Sequence, residues 1–181
     1  VGVDVVSDGE QSKISYATYI KHRLNGFDGD SPRRTPKDLE EYPAFSKRAS
    51  SSGGVPTYSR PQCVGPISVK DLKPLEVDLQ NFKDALSASE STDAFMNAAS
   101  PGVIAQFQPN QHYPDHSSYL YALADAMKVE YEGIAEAGLV IQIDSPDLAL
   151  GRHVLFKDQS DEEFVTMAEL HIEALNHALQ N

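Results

Sequence analysis

Two acidic motifs, each placed directly after an apolar run, are the residues of this chain whose spacing best fits a binding site. Asp8 and Glu10 follow the first apolar run, and Asp144 ends the apolar run 139–143. Carboxylates at the C-terminal ends of parallel strands meet at one mouth of an α/β barrel, where they can hold a cation such as a ligand ammonium group. Taken singly, each motif is equally typical of a structural acid at a helix N-terminus or in a turn.

The histidines offer further candidates. His153 follows Asp144 within ten residues, and we expect it to face the same mouth. His112 and His116 are four residues apart, but a proline between them interrupts the helix that would align them on a metal. We therefore expect no metal site within this chain. Structural roles are more typical of Cys63, His171 and His177, and His22 is expected on the surface.

Hydrophobic periodicity predicts strands and helices in alternation, which is the pattern of an α/β protein with a parallel sheet. Three strands are too few to close a barrel, so we expect an open sheet with helices on one side. Residues 27–62 are rich in Pro, Gly and Ser and predict a long excursion, with a hairpin around 57–69. The predicted strands are 3–6, 103–107 and 139–143, and the predicted helices are 14–24, 77–87, 92–98, 117–137 and 160–179.

Composition excludes several classes of function. The net charge of −12 argues against nucleic acid as a partner. No apolar run is long enough to span a membrane, and no signal peptide is visible. A single cysteine cannot form an internal disulfide, so a cytoplasmic location is the default expectation. The chain begins at the edge of an apolar run and ends inside a helical pattern, and we expect it to be a fragment.

Several motifs together resemble the catalytic barrel of the cobalamin-independent methionine synthase family. They are Gly-Val-Asp-Val-Val-Ser-Asp-Gly-Glu at 2–10, Cys-Val-Gly-Pro at 63–66, Ser-Pro-Gly-Val-Ile at 100–104 and Ile-Gln-Ile-Asp-Ser-Pro at 141–146. Each motif alone is only moderately specific, but their order and spacing match the family. The segment from Pro146 to His153 looks more like the short, single-barrel members. The resemblance covers most of the chain and is weak over 27–62.

This resemblance implies a (β/α)8 TIM barrel of which residues 1–181 form a single partial domain, with the excursion at about 27–69. It implies transfer of a methyl group from methyl-tetrahydrofolate, or a related donor, to the thiol of homocysteine, giving methionine. In the family a zinc ion holds that thiol as the reactive thiolate. Glu10 and Asp144 match the family's two acids that bind the amino group of homocysteine. The family's zinc ligands lie beyond the equivalent of Asn181, so the chain alone is expected to be inactive.

The sequence departs from the family at three places. Ser145 stands where the family usually has Glu, and Ser100-Pro101-Gly102 replaces a Thr-Gly-Pro-like turn. No tryptophan follows Phe107 in the loop where long members place an aromatic residue near the folate, and His112 and Tyr113 are the nearest substitutes. The methyl donor therefore stays open. Further residues expected to line the site are Asp8, Ser145, His153 and His112.

Two other functions remain open at this stage. One is zinc-dependent alkyl transfer to a different thiol, as in epoxyalkane:coenzyme M transferases, whose acceptor lacks an amino acid head. The other is a barrel relative that binds a ligand without catalysis. The expected partners are small molecules, and a homo-oligomer is also open.

Overall fold

The structure, a computed structural model, describes residues 2–32, 35–51 and 60–180. The strands are β1 (Val5–Ser7), β2 (Leu24–Asp28), β3 (Gln62–Val69), β4 (Asp93–Ala99) and β5 (Val140–Asp144). The helices are α1 (Ile20–Arg23), α2 (Lys37–Glu40), α3 (Pro43–Ser51), α4 (Lys73–Ser87), α5 (Pro101–Phe107), α6 (His116–Glu136), α7 (Asp147–Leu150) and α8 (Asp161–Ala178), with a 3₁₀ turn at Gly151–His153. None of the helices in these ranges is long and apolar enough to cross a lipid bilayer.

The centre of the fold is a parallel sheet of three strands in the order β1-β4-β5. Val5 lies opposite Asp93, and Ala99 lies opposite Asp144. Since the strands run in one direction, their C-terminal ends share one edge, and the two acidic motifs follow at that edge. The predicted parallel α/β sheet is confirmed.

The sheet has one covered face and one open face. Ala94, Met96 and Ala98 alternate along β4 and join the hydrophobic core, to which α4 and α6 contribute. On the opposite face, Val5 and Val140 are each 53% exposed. The described strands form an open sheet and do not close into a barrel.

The predictions for two neighbouring segments are wrong, because a strand was predicted as a helix and a helix as a strand. Residues 92–98 are not a helix, since 93–98 belong to β4, and residues 103–107 are not a strand but belong to α5. Alanine and methionine favour helices, yet in β4 they form the strand face that packs against the helix layer. The β-branched pair at 103–104 favours a strand, but Pro101 and the Ser100 cap begin a helix. The Ser100 hydroxyl accepts the Val103 N–H at 3.1 Å.

The N-terminal predictions also need correction. The first strand is β1 rather than 3–6, and Val3 is 63% exposed. The helix predicted over 14–24 is reduced to α1, because residues 14–19 form bends and turns and the chain enters β2 at Leu24. The hairpin predicted at 57–69 is wrong over its described residues: 62–69 form the single strand β3, which pairs antiparallel with the distant β2, and residues 57–59 lie outside the described residues. Gly26 lets β2 and β3 approach closely, since a Cβ there would lie 2.8 Å from the Gly65 carbonyl oxygen.

The three long helices are confirmed at the predicted places. In α6 the Asp115 carboxylate accepts the Ser118 N–H at 2.7 Å, and Gly138, with φ of +82°, follows its C-cap. α8 opens with a capping box formed by Ser160 and Glu163. On α8, His171 is buried, whereas Ile172 and Leu179 are 43% and 46% exposed.

Candidate functional site

Glu10 and Asp144 line one open depression at the C-terminal edge of the parallel sheet. The depression has a volume of about 620 Å³, and Tyr16, Ser145 and Pro146 also line it. β1 leads to Glu10 and β5 ends at Asp144, so two strand ends deliver one carboxylate each. The structure therefore brings together the two acids that the sequence singled out.

Two amides hold the Asp144 carboxylate. The Asn97 side chain on β4 donates to both Asp144 oxygens, at 3.3 and 3.0 Å from Oδ1 and Oδ2. The Gln142 side chain, two residues earlier on β5, donates to Oδ1 at 3.1 Å. The Asp144 backbone is held as well, because its carbonyl accepts the Ser100 N–H at 3.0 Å. Asp144 is thus presented in one orientation by two neighbouring strands.

A tight turn after β1 presents Glu10. Gly9 and Glu10 both have left-handed backbones, with φ of 62° and 54°, and Glu10 is unusual in being a non-glycine residue there. The Asp8 carboxylate accepts the Glu10 N–H at 3.2 Å, and the Glu10 carbonyl accepts the Lys13 N–H at 3.0 Å. These bonds fix a conformation that costs free energy, and such strain concentrates at functional sites.

Glu10, Asp144 and Asp8 bring more negative charge to this region than the nearby Lys13 ammonium can neutralise. Burial raises the pKa of the Glu10 carboxyl; the Lys13 ammonium opposes the rise, and the Asp144 and Asp8 charges add to it. Lys13 is tied to the sheet, since its ammonium donates to the Asn97 carbonyl. A ligand cation between Glu10 and Asp144 would relieve their repulsion, so the geometry favours binding of an ammonium group.

The other predicted residues are distributed over several places. Ser145 lines the depression with the two acids, whereas Asp8 holds the Glu10 turn and lines a separate depression with Asn81 and Phe82. His153 lies in a third depression, with Lys37 and Arg152. This placement corrects the expectation that His153 faces the same mouth, because the 3₁₀ turn directs the chain away after α7.

His112 is exposed in the loop before α6. Its ring meets the Tyr113 ring edge-on at 5.1 Å, and it is not among the residues lining the depression of Glu10 and Asp144. Its role as a site-lining residue stays a prediction.

Sequence reasoning missed Asn97, Gln142, Lys13 and Tyr16 as site residues. Gln142 carried a usable signal, because side chains two apart on a strand share a face. Asn97 carried none, because the segment around it was assigned to a helix.

The described residues do not by themselves fit a zinc site. Within 2–32, 35–51 and 60–180, no group of three or more His, Cys, Asp or Glu side chains converges on one point. His116 and His171 come closest, but their Nε2 atoms contact each other at 2.9 Å as a hydrogen-bonded pair. The Nδ1 atom of His171 contacts Asp147, so it does not complete a set of zinc ligands.

Comparison of sequences identifies the relatives of the chain. It is 28% identical over 148 residues to a methionine synthase of Saccharolobus solfataricus, and 30% identical over 148 residues to one of Saccharolobus islandicus. The chain is a relative of the methionine synthases. Both matches cover 81% of the chain and 38% of the relative, so this methionine synthase relative spans less than two fifths of the length of the curated proteins it matches. No protein-family model matches it.

The fold agrees with this relationship. The structure of a B12-independent methionine synthase from Shewanella sp. W3-18-1, in complex with selenomethionine, superposes with a TM-score of 0.63 at 20% identity. The superposition covers 99% of this chain and 44% of the Shewanella protein. The sequence relatives support the resemblance to the methionine synthases, and the superposition shows the shared fold.

Proposed function

We propose that this methionine synthase relative is part of a (β/α)8 barrel that binds homocysteine and transfers a methyl group to its thiol, giving methionine. The observation that carries the proposal is the convergence of Glu10 and Asp144 on one depression at the C-terminal edge of the parallel strands. Ligands of such barrels bind at that edge. The proposed methyl donor is methyl-tetrahydrofolate or a related methylated compound, and the proposed location is the cytoplasm.

Glu10 and Asp144 are proposed to bind the ammonium group of homocysteine. Ionised carboxylates accept strong, charge-assisted hydrogen bonds from ammonium groups. The Shewanella relative was solved with selenomethionine, an amino acid that carries the same ammonium group. Asn97 and Gln142 keep the Asp144 oxygens oriented, so this half of the site is organised before a ligand arrives.

Zinc is proposed as the cofactor, with ligands supplied from outside residues 1–181. A bound zinc ion would stabilise the homocysteine thiol as a thiolate nucleophile at neutral pH. The residues of this chain would bind and orient the amino acid head at the opposite end of the substrate.

The open face of the sheet is consistent with the proposal that further strands complete the barrel. Parallel sheets are normally covered on both faces, and here Val5 and Val140 are exposed on the uncovered face. Further strands of the same barrel are the proposed cover in the working enzyme. A homo-oligomer would cover the same face when those strands are absent.

Calorimetric titration of the full-length protein that contains residues 1–181, with zinc bound, against homocysteine tests the proposed ammonium site. Glu10→Gln and Asp144→Asn should each weaken binding by thirtyfold or more, since removing one partner of a buried charge contact costs about 2–5 kcal/mol. Glu90→Gln, an exposed acid outside the site, is the matched control and should bind as the wild type does.

A second titrant separates the candidate functions. The homocysteine analogue that lacks the amino group should bind the wild type weakly and respond little to either substitution. If the analogue binds as well as homocysteine, the acceptor is another thiol, as in the epoxyalkane:coenzyme M transferases. If homocysteine binds equally to the wild type and both variants, the two carboxylates are structural and the proposal fails.

A further inference from the structure

A buried polar network lies directly behind the Asp144 turn, outside the depression. Asp147, on α7, is 2% exposed, and its two carboxylate oxygens have separate partners. Oδ1 accepts the Ser100 hydroxyl at 3.1 Å, and Oδ2 contacts Nδ1 of His171, on α8, at 2.7 Å. His171 is 3% exposed. A buried carboxylate with both oxygens partnered is a firm tether between the elements it joins.

The network continues from α8 to α6. Nε2 of His171 lies 2.9 Å from Nε2 of His116, the first residue of α6. Because His171 directs Nδ1 to Asp147, one proton between the two Nε2 atoms satisfies both rings, and a second would break the contact. Burial and the neighbouring His171 lower the pKa of His116 to about 4. The pair therefore stays intact at neutral pH.

Ser100 links this network to the site acid. Its N–H donates to the Asp144 carbonyl at 3.0 Å, while its hydroxyl donates to Asp147. One residue at the end of β4 thus holds both ends of the turn 144–147, which carries Asp144 and Ser145 into the depression. Hydrogen bonds thus connect α8, through Asp147 and Ser100, to the backbone of Asp144.

The backbone around the network leaves no spare room. A Cβ on Gly102 would lie 2.1 Å from Asp147 Oδ2 and 2.4 Å from His171 Nδ1. The first turn of α5 therefore packs directly against the hydrogen bond between these two side chains. Only glycine allows α5, α7 and α8 to approach this closely.

We propose that Asp147 and His171 are positioning residues that hold the turn 144–147, and with it the Asp144 carboxylate, against the end of β4. Neither side chain lines the depression, so both act through Ser100 and the backbone. The consequence for homocysteine binding rests on the proposed function. The positioning of the turn 144–147 is independent of the proposed function, because its hydrogen bonds are present without a ligand.

A pair of substitutions at His171 separates positioning from packing. In His171→Asn, the side-chain amide nitrogen replaces Nδ1 and keeps a donor for Asp147. In His171→Gln, the amide nitrogen replaces Nε2 and keeps the His116 contact but loses the Asp147 bond. Both variants lose the imidazole ring, so loss of packing is common to them. Asp147→Asn is a third variant of unchanged size.

Hydrogen exchange at the Ser100 amide, measured by NMR without ligand, reports the bond to Asp144. In His171→Gln and Asp147→Asn, exchange at Ser100 should accelerate on the order of tenfold more than at Leu123, a buried amide within α6. In His171→Asn the two amides should change together. The Asn97 side-chain NH2 resonances, which sense the Asp144 carboxylate, should shift in the first two variants only.

His177 provides the matched control. It contacts Asp125 at 2.7 Å across the same two helices, but on the exposed surface. His177→Gln should change neither Ser100 exchange nor the Asn97 resonances. Equal changes at Ser100 and Leu123 in all three network variants, with unshifted Asn97 resonances, would show that the network only stabilises the fold and would overturn the proposal.

Failure of the proposed function is distinguishable, since homocysteine is absent from the exchange measurement. If the His171→Gln and Asp147→Asn variants show the expected Ser100 response but the full-length wild-type protein does not bind homocysteine, the proposed ligand is refuted and the positioning role stands.

Discussion

Asn97 donates its side-chain amide to both carboxylate oxygens of Asp144, at 3.0 Å and 3.3 Å, across the β4–β5 boundary. The parallel register that pairs Asn97 with Gln142 places both amides on the face that carries Asp144. The carboxylate is held from two strands, which reduces the freedom it would lose when a cation binds. The sheet therefore orients the Asp144 side chain directly, in addition to the hold that Asp147 and His171 are proposed to exert on the turn that follows.

Replacing Asn97 tests this orientation. Asn97→Ala should weaken homocysteine binding by on the order of tenfold, because hydrogen bonds to charged groups are the stronger class. Calorimetric titration measures the effect. Asn25→Ala removes an exposed hairpin amide that donates to Ser68 and should leave binding unchanged. Identical affinities for the two variants would mean that Asp144 needs no support from β4.

The pH dependence of binding should report Glu10. An ammonium ligand requires the ionised carboxylate, and burial raises the pKa of Glu10. Binding should thus strengthen as pH rises through that raised pKa, at a higher pH than an ordinary glutamate would give. The profile of Glu10→Gln should be flatter over the same range, from about pH 4 to pH 7. Homocysteine titrations at a series of pH values measure both profiles, and parallel profiles would assign the dependence to another group.

The left-handed backbone of Glu10 predicts an inverted order of stability between two variants. Both Glu10→Gly and Glu10→Ala remove the carboxylate, but only alanine keeps a Cβ at φ of 54°. The glycine variant should be more stable by about 1 kcal/mol, since left-handed conformations cost side chains roughly that much. Urea unfolding measures the difference in free energy of unfolding.

A helical position supplies the control for that pair. Glu132 lies on the exposed side of α6, where alanine should be more stable than glycine by about 1 kcal/mol. The same order at both positions would show that the Glu10 backbone relaxes when its side chain is removed.

The sequence predicted the parts of the fold that local signals determine. α6 and α8 carry caps and a long periodic pattern. β5 begins two residues after Gly138, which has a left-handed backbone. Glu10 and Asp144 were found through motif order and through their positions after apolar runs. These signals need no knowledge of distant contacts.

The parts that were missed depend on distant partners. β2 becomes a strand because β3, more than thirty residues later, pairs with it. β4 contains residues that favour a helix locally and is extended only because it lies between β1 and β5. Asn97 is on that strand, so the residue that orients Asp144 was hidden by the same error. The network behind the turn joins Asp147 to His171, and nothing in their spacing reveals the contact.

Two glycines differ sharply in the room around them, and their alanine variants should differ accordingly. Gly102→Ala would place a Cβ 2.1 Å from Asp147 Oδ2, between two buried side chains with no free space. It should lower the free energy of unfolding by about 3 kcal/mol, the upper part of the usual range for overpacking. Gly133→Ala meets only the flexible end of Leu75, at 3.0 Å, and lies within α6. It should be neutral or stabilising by up to about 1 kcal/mol. Urea unfolding of both variants measures the contrast, and similar stabilities would contradict the packing around Gly102.

The uncovered sheet face should make the 181-residue chain self-associate. Val5 and Val140 are each 53% exposed on that face, and β1 and β5 are the edge strands of the described sheet. Burial of this apolar face favours association, whereas the net charge of −12 opposes it. Added salt screens that charge, so association should increase with ionic strength.

Sedimentation velocity over a range of protein concentrations measures this association. The double variant Val5→Lys with Val140→Lys should shift the distribution toward monomer. Val165→Lys is the matched control, because Val165 is also 53% exposed but lies on α8, away from the sheet. It should associate as the wild type does. A wild-type chain that stays monomeric at every concentration and salt level would show that the apolar face is tolerated in water and that nothing need cover it.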